Sequence, residues 1–184
     1  MPEGSYNLPA RACITGSKLR EVPGTPCYKC YAFKGNYVRY PAVQKALRRR
    51  LESLTHPDWI EGMYTLVKKI KHFRWHDSGD LQGVWHLKNI FEVCNLTPAT
   101  MHWLPTQERQ FLPLPGSKIP KNIIIRLSNA KNDTKPGNAW SHWSTVVTKP
   151  RPGRVCPAPK QGNQCKNCRA CWNKNINEIQ YRIH

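Results

Sequence analysis

The chain has 184 residues and carries 29 Lys and Arg against 11 Asp and Glu, a formal charge of +18. No stretch approaches the roughly 18 apolar residues of a membrane span, and the start, Met1 to Tyr6, lacks the apolar core of a secretory signal. A cytoplasmic protein without membrane contact is therefore expected, and its eight cysteines read as metal ligands rather than disulfides, because the cytoplasm keeps thiols reduced.

So large a basic surplus repels itself in a folded chain and calls for a polyanionic partner, with nucleic acid (DNA or RNA) the leading class. A solvated basic surface with no specific partner is the plainer alternative. The length fits one domain with a core of its own. Within it, residues 1–39 read as a cysteine-containing loop region, 40–148 as helices and βα units, and 149–184 as a Cys-rich segment and tail. The sequence leaves the oligomeric state open.

Residues 1–39 look irregular. They hold Cys13, Cys27 and Cys30, spaced Cys-x13-Cys-x2-Cys. Three thiolates on a four-iron cube would leave one iron open to a small ligand, substrate or water. Tyr28, Tyr31, Phe33 and Tyr37 interleave with Lys29, Lys34 and Arg39. Such rings can stack bases or shield a metal site.

A helix is predicted from Pro41 to Leu54, with Val43, Ala46, Leu47, Leu51 and Leu54 on one face. Pro41 suits its first turn. Lys45, Arg48 and Arg49 lie opposite, with Arg50 beside them, a stripe that can follow a phosphate backbone. A second helix is predicted over residues 58–70, with Trp59, Met63, Leu66, Val67 and Ile70 buried. Asp58 and Glu61 have capping-box spacing.

The period then changes. Phe73 to Trp75 reads as a strand, followed by the turn His76-Asp77-Ser78-Gly79-Asp80. Residues 84–95 read as a helix with Val84, Leu87, Phe91 and Cys94 near one face. Met101 to Leu104 is a strand, Ile123 to Leu127 is a strand apolar on both faces, and Thr145 to Thr148 is expected to be the last. This is βα rhythm: a small partial-barrel-like or open α/β sheet, mainly parallel, with N-terminal helices and a Cys-rich C-terminal segment.

Function in such sheets gathers at the carboxyl ends of the strands. The polar groups His76 to Asp80, Thr106 to Glu108, and Ser128 with Asn129 should therefore share one rim. His76, Asp77 and Asp80 are the candidate catalytic residues, since His and Asp can do acid–base work or bind metal. Ser78-Gly79 could offer amides to an anion, or the turn could simply cap the next helix. No Gly-x-Ser-x-Gly elbow and no phosphate-binding loop occurs.

From Lys149 the chain is rich in Pro, Gly and Cys. Cys156 is followed by Cys165, Cys168 and Cys171, and the two overlapping Cys-x-x-Cys steps suit corners of a [4Fe–4S] cluster. One cluster or two is expected. Zinc is the alternative, with Cys27 and Cys30 joining Cys165 and Cys168 as two knuckles around one ion. The segment should fold onto the sheet and end in a short amphipathic tail with Ile176, Ile179, Tyr181 and Ile183.

Three stretches together resemble the phage gene-product-88 family: Pro26-Cys27-Tyr28-Lys29-Cys30-Tyr31-Ala32, then Phe73-Arg74-Trp75-His76-Asp77-Ser78-Gly79-Asp80, then Cys156-Pro157-Ala158-Pro159 with Cys165 to Trp172. That resemblance implies a phage origin and a host-cytoplasmic setting, not a reaction. The Cys-x-x-Cys-Tyr-Ala piece before βα units also looks like phage proteins related to radical S-adenosylmethionine enzymes. That similarity implies Cys13, Cys27 and Cys30 as ligands of an open-iron cluster, and S-adenosylmethionine as a co-substrate. Ser78-Gly79-Asp80 stands where those enzymes carry Gly-Gly-Glu. Three functions follow as expectations: a nucleic-acid-binding iron–sulfur protein, a small radical-type enzyme, or a zinc-stabilised nucleic-acid-binding module.

Overall fold

The computed structural model describes residues 3–114, 116–135 and 140–183. Among them, seven strands form one open sheet: β1 (Ser5–Tyr6), β2 (His72–Trp75), β3 (Met101–Thr106), β4 (Ile123–Ser128), β5 (Trp143–Val147), β6 (Arg154–Val155) and β7 (Glu178–Arg182). Their order is β1-β2-β3-β4-β5-β7-β6, and every pair is parallel. The α/β reading holds.

Among the described residues, five α-helices accompany the sheet: α1 (Ile14–Leu19), α2 (Asn36–Arg39), α3 (Pro41–Ser53), α4 (Trp59–Val67) and α5 (Val84–Leu96). The first four fill the crossover from β1 to β2, and α5 makes the crossover from β2 to β3. Pro41 opens α3, where its missing N–H costs nothing.

Strand alternation sorts the core into two layers. Phe73, Trp75, Leu104, Ile123 and Ile125 face Leu54, α4 and α5, where Trp59, Met63, Val67, Leu87, Ile90 and Val93 are buried. Trp103 and Ile124 face the opposite way and pack against Trp172 of the Cys-rich segment. Each buried side chain of this size contributes about 1.5–3 kcal/mol. Trp172 Nε1 also donates to the Phe73 carbonyl at 3.0 Å, which ties that segment to the sheet.

Several expectations are corrected. The tail after Ile176 is no amphipathic tail but strand β7, inserted between β5 and β6. The strand at 143–147 is therefore not the last. Residues 1–39 are not wholly irregular, since β1, α1 and α2 lie there. The buried stripe of α4 runs Trp59-Met63-Val67 and leaves Leu66 67% exposed. On α5 the buried face is His86, Leu87, Ile90, Val93 and Cys94, and Val84 is exposed. Asp58 precedes α4 without capping it through its side chain, and its own N–H, which a capping box would give to Glu61, donates to His56 Nδ1 at 3.2 Å.

Candidate metal centre and polar rim

The three-cysteine loop leaves β1 and returns to the carboxyl ends of the strands. A single 3-10 turn, Ala10–Ala12, leads into Cys13, and α1 begins at the next residue. Glu108, just beyond β3, accepts the backbone N–H of Ile14 at 2.9 Å and of Thr15 at 2.8 Å, and the Thr15 hydroxyl at 2.7 Å. Gln82 donates to the Ala12 carbonyl at 3.1 Å. Buried Thr25 braces the next turn by donating to the carbonyls of Leu19 and Val22, both at 2.9 Å.

Gly16 shows how close two of the thiols lie. A Cβ there would meet Cys13 Cβ at 3.1 Å and Cys27 Sγ at 3.5 Å. Cys13, Cys27 and Cys30 act on one another electrostatically, and Asp80 and Glu108 join them. Burial pushes the Cys13 thiol well up, and Asp80 adds to the rise. Burial, then Cys30, pushes Cys27 up to about 12. Buried thiols beside two carboxylates hold too much potential negative charge, which a metal centre would relieve.

The expected rim is present. Thr106 Oγ1 donates to Asp80 Oδ1 at 2.6 Å, and the Leu81 and Gln107 N–H groups donate to the same carboxylate, both at 2.8 Å. Gln107 Nε2 reaches the Asn129 carbonyl at 2.9 Å. Burial dominates at Asp80 and raises its pKa to about 7. That carboxyl can hold or release a proton near neutrality.

Ser78 and Gly79 pack against Leu8 and do not cap α5. Ser78 Oγ donates to the Leu8 carbonyl at 2.9 Å. Gly79 has φ 76°, and a Cβ there would stand 2.5 Å from Leu8 Cβ. Only glycine fits this approach. Gly83, not Asp80 or Ser78, precedes α5.

His76 and Asp77 part company. His76 is 3% exposed, sits at φ 56°, and packs edge-on to His86 at 5.3 Å between ring centres. Burial keeps it neutral, with its pKa well below the usual imidazole range. Asp77 pairs with Arg74 at 2.8 Å, and its N–H donates to Asn7 Oδ1 at 2.8 Å. Tyr37 donates to its carboxylate and Tyr31 to its carbonyl. Asp77 therefore anchors the aromatic segment that follows Cys30.

Cys156, Cys165, Cys168 and Cys171 gather on the Trp172 side of the sheet, where Cys171 packs beside Trp103 and Tyr181. The Cys156 N–H donates to the Gln180 carbonyl of β7 at 2.8 Å. Cys171 Sγ and Tyr181 Oη lie 3.2 Å apart, and Arg154 donates to Cys168 Sγ at 3.4 Å. Burial raises Cys156, with Cys165 and Cys168 adding to the rise. Burial pushes Cys171 up to about 11. Arg126, fully buried on β4, donates to the carbonyls of Ala170, Cys171, Asn173 and Asn177 at 2.9–3.2 Å. The thiols thus fall into a group of three and a group of four. Cys94 lies apart in the helix-side core. All eight cysteines are free thiols.

Among the described residues, no three His, Cys, Asp or Glu side chains converge tightly enough to hold a single metal ion. Zinc needs its donors focused on one point, whereas a cube takes its thiols at separate corners.

Lys45, Arg48 and Arg49 are exposed on α3, and Arg50 is half-buried with its carbonyl accepting Tyr6 Oη at 2.9 Å. Sequence reasoning assigned no functional role to Arg126, Arg74 or Tyr181. The one available signal was a charged residue inside the apolar run Ile123 to Leu127. No helix among the described residues is long and apolar enough to cross a membrane.

A family model described as gene product 88 matches residues 1–174, and the chain belongs to that family of phage proteins. No curated protein and no solved structure matches the chain.

Proposed function

We propose that this gene product 88 protein is an iron–sulfur protein that contacts nucleic acid. Cys13, Cys27 and Cys30 would hold one [4Fe–4S] cluster, and Cys156, Cys165, Cys168 and Cys171 a second. The observation that carries this reading is the gathering of seven free thiols into a group of three and a group of four on one parallel-sheet scaffold. A bound cube supplies one-electron chemistry and, with three thiols, one iron accessible to a small ligand.

The chain's own residues divide the work. Glu108 and Gln82 fix the loop that bears Cys13. Asp80 offers a proton site beside the three thiols. Arg126 fastens the four-thiol segment through its carbonyls, which makes that group the structural anchor. The charge of +18 supplies attraction for phosphates, with the α3 stripe as the contact.

Anaerobic purification with an absorption spectrum and iron, sulfide and zinc counts tests the cofactor. About eight irons per chain are expected for two cubes, and about four would mean one. A colourless protein containing zinc would overturn the reading in favour of the zinc module. Binding to DNA or RNA should weaken steeply with salt; tight binding kept after charge reversal of Arg48, Arg49 and Arg50 would remove that face as the contact.

A radical-type enzyme using S-adenosylmethionine is the second reading. It is favoured by the position of the three-thiol loop, which follows β1 and meets the carboxyl ends of β2 and β3. Cleavage of S-adenosylmethionine by the reduced, reconstituted protein is the expected signature, and no cleavage removes this reading.

A further inference from the structure

A cleft of about 610 Å³ opens between α3, α4 and the edge strand β1, and no cysteine lines it. That volume lies within the range of sites that take small molecules, roughly 300–1,000 Å³. Its floor is apolar, made by Trp59, Met63, Ile70 and Phe73. Leu66, mostly exposed, stands on its α4 wall. Arg49 and Arg50 line the α3 side.

The strand edge adds a polar handle. The carbonyls of Gly4 and Tyr6 accept the N–H groups of Arg74 and His76 at 3.2 and 2.8 Å, so these two residues face β2. Alternation along a strand then turns the N–H and C=O of Ser5 away from β2. Ser5 also lines the cleft. A donor and an acceptor side by side suit the hydrogen-bonding edge of a heterocyclic base. The cleft therefore combines an apolar slot, a backbone donor–acceptor pair and two arginines on the α3 side, with Asp58 paired to His56 at the start of α4.

We propose that this cleft receives one nucleotide of a single-stranded nucleic acid, its base over the apolar floor and its phosphate against Arg49 and Arg50. The assignment rests on the nucleic-acid reading above and deepens it, by making a base rather than the phosphates alone part of the contact. Charge complementarity selects the occupant: an uncharged ligand would leave the arginines unused, and a bare anion would leave the floor unused.

Gly62 permits a clean test. It lies on the α4 wall, and a Cβ there meets nothing within 4 Å. Leucine is also a better helix former than glycine. Gly62→Leu should therefore fold and fill the cleft. Binding of a labelled short single-stranded oligonucleotide is measured by fluorescence anisotropy, beside an abasic strand of equal length. Gly62→Leu is expected to weaken the normal strand about tenfold, in line with the loss of one base contact, and to leave the abasic strand unchanged. Equal binding of the normal strand by wild type and Gly62→Leu overturns the cleft while sparing the nucleic-acid reading. So does an abasic strand that binds the wild type as tightly as the normal one. Absence of binding by either strand overturns both.

Discussion

Glu108, fully buried beyond the end of β3, accepts the backbone N–H of Thr15 at 2.8 Å, two residues past Cys13. A carboxylate on the strand rim thereby fixes the start of α1 and the thiol that precedes it. Glu108→Ala strips the acceptor from the Ile14 and Thr15 N–H groups and from the Thr15 hydroxyl. Hydrogen bonds to a buried charge are the strong ones. A loss of about 2–3 kcal/mol in urea unfolding is expected, together with lower iron content at the three-thiol group. Unchanged iron and stability would show that Cys13 is placed by something else.

The two thiol groups should respond independently. Cys27 is influenced by Cys30, Asp80 and Glu108, and Cys156 by Cys165 and Cys168. On the proposed two-cube reading, Cys27→Ala and Cys168→Ala are each expected to keep about half of the wild-type iron, each variant disturbing one thiol group and leaving the other whole. Iron and sulfide analysis of anaerobically purified variants reads this directly. Total loss of metal in both single variants would mean one shared site built from both groups.

Arg126→Met is expected to release the Cys-rich segment from the sheet. The guanidinium is the common donor to carbonyls on both sides of Trp172. Methionine fills much of the space but leaves those carbonyls buried without it, a cost of about 3 kcal/mol or more. Limited proteolysis should then cut within residues 156–173 before the rest of the chain unfolds. Cleavage no faster than in the wild type would assign the anchoring to Trp172 instead.

How much of this was legible in the residues depended on the range of the interactions. The run Ile123 to Leu127 announced a strand covered on both faces, and β4 is that strand, paired in parallel on both sides. Strand β7 was harder, because Glu178-Ile179-Gln180-Tyr181-Arg182 mixes polar and apolar residues. Its place between β5 and β6 comes from pairing partners distant in sequence. The cysteine spacing marked both thiol groups, since most thiols of each group lie close together in sequence. The role of Gly79 was not local: it comes from Leu8, about seventy residues earlier in the chain, which crosses where a side chain would stand. Arg126 likewise answers to carbonyls that follow it by more than forty residues.

Asp80 carries a pH signature with a definite sign. Its folded pKa is about 7, because burial outweighs the three donors that stabilise its charge and Glu108 adds repulsion. The unfolded value is about 3.9. Between these values the folded state binds more protons than the unfolded state, so stability falls as pH rises. The contribution is complete below about pH 4 and is lost as pH passes through about 7, with a limiting slope of roughly 1.4 kcal/mol per pH unit. Asp80→Asn cannot titrate. It also turns an amide N–H₂ toward donors from Thr106, Leu81 and Gln107, so its absolute stability should drop while its pH dependence flattens. Urea midpoints between about pH 4.5 and 6.5 are the measurement. Wild type should lose stability across this window more steeply than Asp80→Asn. Parallel slopes in the two proteins would show that Asp80 is already ionised throughout, with the three donors outweighing burial.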